Sequence, residues 1–106
     1  MFARLDLTAV NSEQNVDRFY DIRIETNLFG EYRFQIVYGR NGFKGKTLNY
    51  YFNDPLPLSR KLKQTLHKRF HASTRIGTNY YLTKIDHDKM FEEMILTKGI
   101  LPYVAQ

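Results

Sequence analysis

Residues 39–47, with the sequence GRNGFKGKT, contain glycines and basic residues whose spacing could bind a phosphate group. A nucleotide-binding P-loop has the pattern GxxxxGK[ST], and its backbone N–H groups converge on the phosphates where a helix begins. The end of the pattern is present at Gly45, but Arg40 occupies the position of the opening glycine. The next residues alternate polar and aromatic types, as a strand does. The stretch is therefore not a nucleotide P-loop, and its glycines and cations serve another purpose.

Two histidines, His67 and His71, are four residues apart and could present imidazole nitrogens to a metal ion from one helix face. Lys68 stands where a metalloprotease helix carries glutamate, and its charge, with that of Arg69, repels a cation. The chain has no cysteine, so a thiol nucleophile is excluded, and it has no GxSxG motif. We expect a protein that is not an enzyme, with no metal and no cofactor.

A length of 106 residues predicts one domain over residues 1–106. No apolar run approaches membrane-spanning length, and charges interrupt the N-terminal MFARLDLT where a signal peptide would be apolar. The lack of cysteine fits a reducing compartment. We therefore expect a soluble, cytoplasmic protein without a membrane partner.

The net charge of +5 is concentrated in the middle of the chain. Nine Lys and Arg residues lie between Arg40 and Arg75 against one acid, Asp54, whereas both flanking segments are slightly acidic. A single lysine in this block is best explained as solvated helix surface. The whole block indicates a polyanionic partner, because such a concentration of charge creates a strong local potential.

Three segments, residues 18–25, 32–39 and 46–52, alternate apolar and polar residues as half-buried antiparallel strands do. Short glycine-containing linkers join them, as in β-hairpins. FARLDLT near the start adds a less regular candidate strand through Phe2, Leu5 and Leu7. NYYLTK, residues 79–84, is also expected to be extended.

The apolar period changes after the prolines of NDPLPL. Leu58, Leu62, Leu66 and Phe70 recur every fourth residue, which predicts an amphipathic helix. We expect their side chains to be buried against residues of the sheet, namely Tyr20, Ile22, Ile24, Phe34 and Ile36. The outer face of the helix carries Arg60, Lys61, Lys63, Lys68 and Arg69.

Two further signals complete the predicted fold. Gly77 suits the C-terminal cap of the basic helix, and Asp86 suits the N-cap of a final helix that extends to about Lys98. Met90, Phe91, Met94 and Ile95 would form the apolar stripe of that helix. The predicted class is α+β: an antiparallel sheet of about four to five strands, an amphipathic helix packed across it and a C-terminal helix. We expect a domain core over about residues 2–83 and a helical extension over about residues 84–106.

The sequence of residues 18–46 followed by the basic helix resembles a WGR domain, a module of poly(ADP-ribose) polymerases and of short bacterial proteins. The matching features are RFY at the start of a strand, LFG at the first hairpin, and YGRNGFKG where the family has WGRxGxxG. The resemblance extends over about residues 2–81. One departure is clear, since Tyr38 stands in place of the signature tryptophan. The chain is also too short to contain the polymerases' catalytic domain.

The resemblance implies a role in DNA binding near a strand break. In the polymerases the tryptophan packs against the exposed end of the strand and the arginine contacts the backbone. Carried over to this sequence, these roles fall on Tyr38 and Arg40, which suits their chemistry: an aromatic ring stacks on a base or sugar, and a guanidinium forks onto phosphate oxygens. The alternative for Tyr38 is that it ends the core face of its strand. The predicted binding residues are Tyr38, Gly39, Arg40, Lys44, Lys46, Lys61, Lys68 and Arg69.

Two functions of different classes remain open at this point. The first is a nucleic-acid-binding module that recognises DNA ends, breaks or single strands, with DNA favoured over RNA by the resemblance. The second is a protein-interaction module that docks on a larger partner enzyme. Met90 and Met94 favour the second function, because methionines form adaptable apolar surfaces.

Overall fold

Five strands form one antiparallel sheet in the computed structural model, which describes residues 1–104. Their order across the sheet is β4-β3-β2-β1-β5. The first four strands are joined in sequence as a meander, and the last returns to the opposite edge and pairs with the first. Their bounds are β1 Phe2–Asn11, β2 Val16–Thr26, β3 Tyr32–Arg40, β4 Lys46–Phe52 and β5 Tyr81–His87.

The helices follow β4 and β5 in the chain, and one turn of 3-10 helix, Ser12–Gln14, joins β1 to β2. No helix in residues 1–104 combines the length and the apolar character needed to cross a bilayer. The predicted α+β class is confirmed. The helical segments are α1 Pro55–Phe70, α2 Ser73–Ile76, α3 Lys89–Phe91, a π-helical segment Glu92–Ile100 and α4 Leu101–Val104.

The core lies between one face of the sheet and the helices. Leu58, Leu62 and Leu66 of α1 are fully buried, whereas Phe70 in the last turn is half-buried. They share one apolar cluster with the strand residues that the sequence predicted as their partners, namely Tyr20, Ile22, Ile24, Phe34 and Ile36. The helix therefore packs across the sheet as the fourfold apolar period predicts.

The candidate strand near the start of the sequence is β1, and its two faces carry different apolar residues. Leu5 and Leu7 are buried and Ala3 also faces inward, whereas Phe2 points away from the core and is partly exposed. Side chains alternate between the two faces of a strand, so Phe2 cannot share a face with the odd-numbered leucines. The candidate strand is therefore present, and its apolar residues look irregular in the sequence because only the two leucines share the inward face.

The N-cap of the final helical segment also differs from the prediction. Asp86 lies within β5, where it pairs with Arg4, and Asp88 is the cap. A side-chain oxygen of Asp88 accepts a hydrogen bond of 2.9 Å from the Phe91 N–H. This bond is the main reason why the pKa of Asp88 is lowered. The cap falls two residues later than predicted because the strand continues to His87.

Two further boundaries are set by the backbone. The chain leaves α1 at His71, so Gly77 (φ +87°) caps the separate short helix α2 rather than the basic helix. In α3 and the π-helical segment that follows it, Phe91 and Ile95 are buried, Met94 is half-buried and Met90 is 50% exposed. Gly99 (φ +100°) then interrupts the helical path.

Candidate nucleic-acid interface

The glycines of the β3–β4 hairpin pack against each other beneath an aromatic ring. A Cβ atom on Gly39 would lie 2.9 Å from the Cα of Gly45. A Cβ on Gly45, whose φ is +79°, would lie 2.7 Å from the Phe19 ring and 2.6 Å from the Tyr38 carbonyl oxygen. Real Cβ atoms are not found at such distances, so both positions require glycine. These two glycines bring the strand ends together, which explains the spacing that resembles a P-loop.

The tip of this hairpin is fixed to the start of β2. Asn41 donates two hydrogen bonds to Asp17, one from its backbone N–H (2.9 Å) and one from its side-chain amide (2.7 Å). The Phe43 N–H donates to the Arg40 carbonyl oxygen at 3.1 Å, which closes a β-turn. Gly42 supplies the positive φ of this turn (+88°). The loop that carries the predicted binding residues is therefore held in one conformation.

Arg40 is exposed and lies where β3 ends. Its two terminal nitrogens donate to Asn15, one to the carbonyl oxygen at 3.1 Å and one to the side-chain oxygen at 3.0 Å. These bonds use two of the five N–H groups of a guanidinium, so donors remain for a phosphate. The bonds also orient the fork before any ligand arrives.

Tyr38 belongs to a cluster of tyrosines on the helix-covered face of the sheet. It is half-buried, and its ring centre is 6.0 Å from that of its cross-strand partner Tyr20. Tyr80 meets Tyr20 edge-on at 5.9 Å. Burial raises the pKa of Tyr20, and the nearby charge of Arg69 acts in the opposite direction. Tyr38 therefore ends the core face, as the alternative interpretation proposed, while part of its ring stays accessible.

Two basic side chains of α1 fold over the sheet instead of pointing outward as predicted. The Arg69 guanidinium carbon is 4.6 Å from the Tyr20 ring centre, and the Lys61 amine is 4.2 Å from the Tyr50 ring centre. Both contacts are cation–π interactions, which hold the charges beside the sheet. The Nε of Arg69 is buried without a hydrogen-bond partner among the described residues.

Between α1 and the β3–β4 hairpin lies a groove of about 340 Å³. Lys61, Lys68 and Arg69 line its helix side, and Leu48 and Tyr50 line its strand side. The groove therefore combines positive charge with an apolar floor.

The remaining predicted residues lie at the hairpin. Lys44 is exposed in the loop, and Lys46 is exposed at the start of β4, directly opposite Tyr38. Arg18 is a further basic residue of this region that was not among the predicted binding residues. It is exposed, and it pairs with Arg40 across β2 and β3. The register that pairs Ile22 with Ile36 also pairs Arg18 with Arg40, so a correct alignment of the two strands would have predicted that Arg18 lies beside Arg40. These cations together form what we call the basic surface, which consists of Arg18, Arg40, Lys44, Lys46, Lys61, Lys68 and Arg69.

The positive charge of the basic surface is not neutralised by ion pairs among residues 1–104. Among residues 1–104 the ion pairs are those of Arg4 with Asp6, Arg33 with Glu25, and the N-terminal amine with Asp88. None involves the basic surface. Its cations are therefore available to an external anion.

The two helix histidines stack on each other with ring centres 4.4 Å apart, and the Nδ1 of His71 lies 2.7 Å from the His67 carbonyl oxygen. Within the described part of the chain, no group of three or more His, Cys, Asp or Glu side chains could hold a metal ion. These histidines belong to the helix surface.

The fold and this surface define a small α+β module with a basic hairpin and a basic helix. The chain belongs to the WGR domain family, whose model matches residues 3–77. The match covers β1 to α2, and β5 and the helices after it lie beyond it. The family is non-catalytic, and nucleic-acid binding is its general role. None of the curated proteins is similar enough in sequence to count as a match.

Proposed function

We propose that this WGR domain binds nucleic acid, preferentially DNA, by holding the phosphate backbone on the basic surface. One observation carries the proposal: seven cations lie on one hairpin, on the strand beside it and along one groove, and none of them is used in an ion pair among residues 1–104. When such cations bind phosphates, they release the counterions that were condensed on the nucleic acid. This release supplies most of the free energy of sequence-independent binding.

The geometry supports a path for the strand. The hairpin presents Arg40 and Lys44 at its tip, and the groove continues between Lys68 on the helix and Tyr50 on the sheet. A guanidinium forks onto a phosphate, whereas the lysines act as point charges, so Arg40 would set the register of the strand. Contacts of this kind position a backbone without reading its bases.

We infer a preference for DNA ends, breaks or single strands from Tyr38. Its half-buried ring lies directly opposite Lys46, where a chain end could rest its terminal sugar beside a bound phosphate. A continuous duplex offers no free face to a ring that is sunk into the sheet.

Purified protein titrated with labelled blunt, nicked and single-stranded oligonucleotides tests the proposal. Lys68→Ala should weaken binding to all three. Lys84→Ala removes the same charge from β5 at the far edge of the sheet, and it should leave the affinity unchanged. Equal losses in both variants would mean that net charge, rather than the basic surface, drives the binding.

A second candidate function is docking on a protein partner. It is favoured by the β2–β3 hairpin, where Leu28 is 101% and Phe29 is 88% exposed. Asn27 holds this tip by accepting hydrogen bonds from the N–H groups of Phe29 and Glu31, each 2.9 Å. Removal of both apolar side chains should abolish such docking and leave oligonucleotide binding intact.

A further inference from the structure

Phe43 is the most exposed aromatic side chain of the β3–β4 hairpin, with 70% of its surface open. It lies outside the apolar core cluster, and its ring pairs with no other aromatic ring among residues 1–104. Isolated exposed apolar residues are common on protein surfaces. Two features distinguish this one: the rigidity of its turn and the charge around it.

The turn holds Phe43 in place. Its N–H is bonded to the Arg40 carbonyl oxygen, and Asn41 is bonded twice to Asp17. Binding therefore orders little backbone at this position, and a contact made by the ring loses little of its free energy to conformational entropy.

The surroundings of Phe43 are cationic. Arg40 precedes it by three residues, Lys44 follows it directly, and Lys46 begins the next strand. A flat apolar ring among cations fits a ligand that joins anionic groups to flat apolar ones. A nucleic-acid strand with unpaired bases has this composition, since a base is within reach of each phosphate.

Tyr38 is less suited to stacking on an open base, because it is half-buried and packs on Tyr20. We propose that Phe43 stacks on an unpaired nucleobase of the strand whose phosphates lie on the basic surface. The inference rests on the proposed function and extends it, because it assigns recognition of unpaired bases to a residue outside the tyrosine cluster.

The test compares three labelled DNAs of one sequence: a blunt duplex, the same duplex with a single-stranded overhang, and the overhang form with abasic sugars in place of its bases. Phe43→Ala should weaken binding of the overhang form about 5-fold to 100-fold, the effect of losing one base–aromatic stack. The abasic form keeps the phosphates but offers no base, so wild type and Phe43→Ala should bind it equally.

Two control variants separate stacking from other effects. Phe29→Ala removes a phenylalanine of 88% exposure from the opposite end of β3, on the order of 30 Å away, and should change none of the affinities. Phe43→Trp keeps a stacking ring and should retain the preference for the overhang. Affinities are compared only among variants whose melting temperature equals that of the wild type.

The outcomes distinguish this inference from the proposed function. Salt-sensitive DNA binding with an unchanged preference for the overhang in Phe43→Ala would overturn the inference alone. Equal weakening of the blunt and abasic forms would also overturn it, because the ring would then act on the duplex or the backbone. Failure of the wild type to bind any of the DNAs would overturn the proposed function. Tighter binding to anionic lipid vesicles than to DNA, lost in Phe43→Ala, would assign the ring to a membrane surface instead.

Discussion

Gly39 and Gly45 face each other across the β3–β4 hairpin so closely that a methyl group on the first would lie 2.9 Å from the Cα of the second. The Phe19 ring covers this contact. The glycines that look like a phosphate-binding loop thus have a packing role, and the phosphate-binding capacity of the hairpin resides in its cations.

Gly45→Ala should destabilise the protein by about 2 kcal/mol or more, because it combines a left-handed φ with backbone and ring clashes. Gly42→Ala is the matched control, since its φ is also positive (+88°) but no atom lies within 4 Å of the added Cβ. It should cost about 1 kcal/mol. Urea unfolding of the two variants measures the difference. Equal losses would show that the Gly39–Gly45 contact is not tight.

Leu62→Ala or Leu66→Ala should lower the free energy of unfolding by about 2–5 kcal/mol, because both side chains are fully buried under the sheet. Leu56→Ala, in the first turn of the same helix and 56% exposed, should change it by less than about 0.5 kcal/mol. Denaturant melts provide the measurement. A loss at Leu56 as large as at Leu62 would contradict the packing of α1.

Asp88→Ala should destabilise the protein by about 1 kcal/mol at neutral pH through loss of the N-cap. The folded-state pKa of Asp88 lies below its ordinary value of 3.8, so its contribution is complete above that value and is lost as the pH falls through the folded pKa. The difference between variant and wild type should therefore decrease in strong acid. Asp86→Ala, within β5, should have little effect, and a larger loss there than at Asp88 would place the cap at Asp86.

The sequence was sufficient to predict the elements whose periodicity is regular. β4 begins and ends as predicted, and α1 has the predicted buried leucines, because alternation and fourfold spacing report directly on burial. Asp86 was mistaken for a cap because a capping residue is only recognisable once the end of the preceding strand is known. The C-terminal segment became π-helical, a feature with no simple sequence signal.

The site was less predictable than the fold. Lys61 and Arg69 were assigned to an outer helix face by spacing alone, and long side chains can cross to neighbouring rings at the edge of a helix. The hydrogen bond that Arg40 donates to Asn15 joins residues that are far apart in the sequence. No local pattern encodes such a contact, so only the structure reveals it.

Tyr38 and Arg40 should differ in the kind of binding that they support. Arg40→Ala should weaken every nucleic acid about equally, because a backbone contact is lost. Tyr38→Ala should cost about 1–3 kcal/mol, chiefly for DNA with a free or unpaired end. Affinities for ended and continuous DNA provide the measurement, on variants with an unchanged melting temperature.

Three further variants serve as controls for this comparison. Tyr38→Phe should retain most of the binding, and Tyr38→Trp should strengthen the preference for ends. Asn15→Gly keeps the left-handed backbone of that residue (φ +54°) and removes its side-chain bond to Arg40. If Asn15→Gly weakens binding as much as Arg40→Ala, loss of the hydrogen bond between Arg40 and Asn15, rather than loss of a phosphate contact, explains the effect. An unchanged ratio in folded Tyr38→Ala would refute the strand-end role.

The salt dependence of DNA affinity tests the central claim most directly, because it counts the phosphates that the basic surface neutralises. We expect the logarithm of the association constant for duplex DNA to fall linearly with the logarithm of salt concentration. The expected slope is about −4 to −5, since each neutralised phosphate contributes about −0.9. Lys68→Ala should reduce the magnitude of the slope by about 1, and Lys84→Ala should leave it unchanged. A flat salt response in the wild type would contradict the account and favour docking on a protein partner.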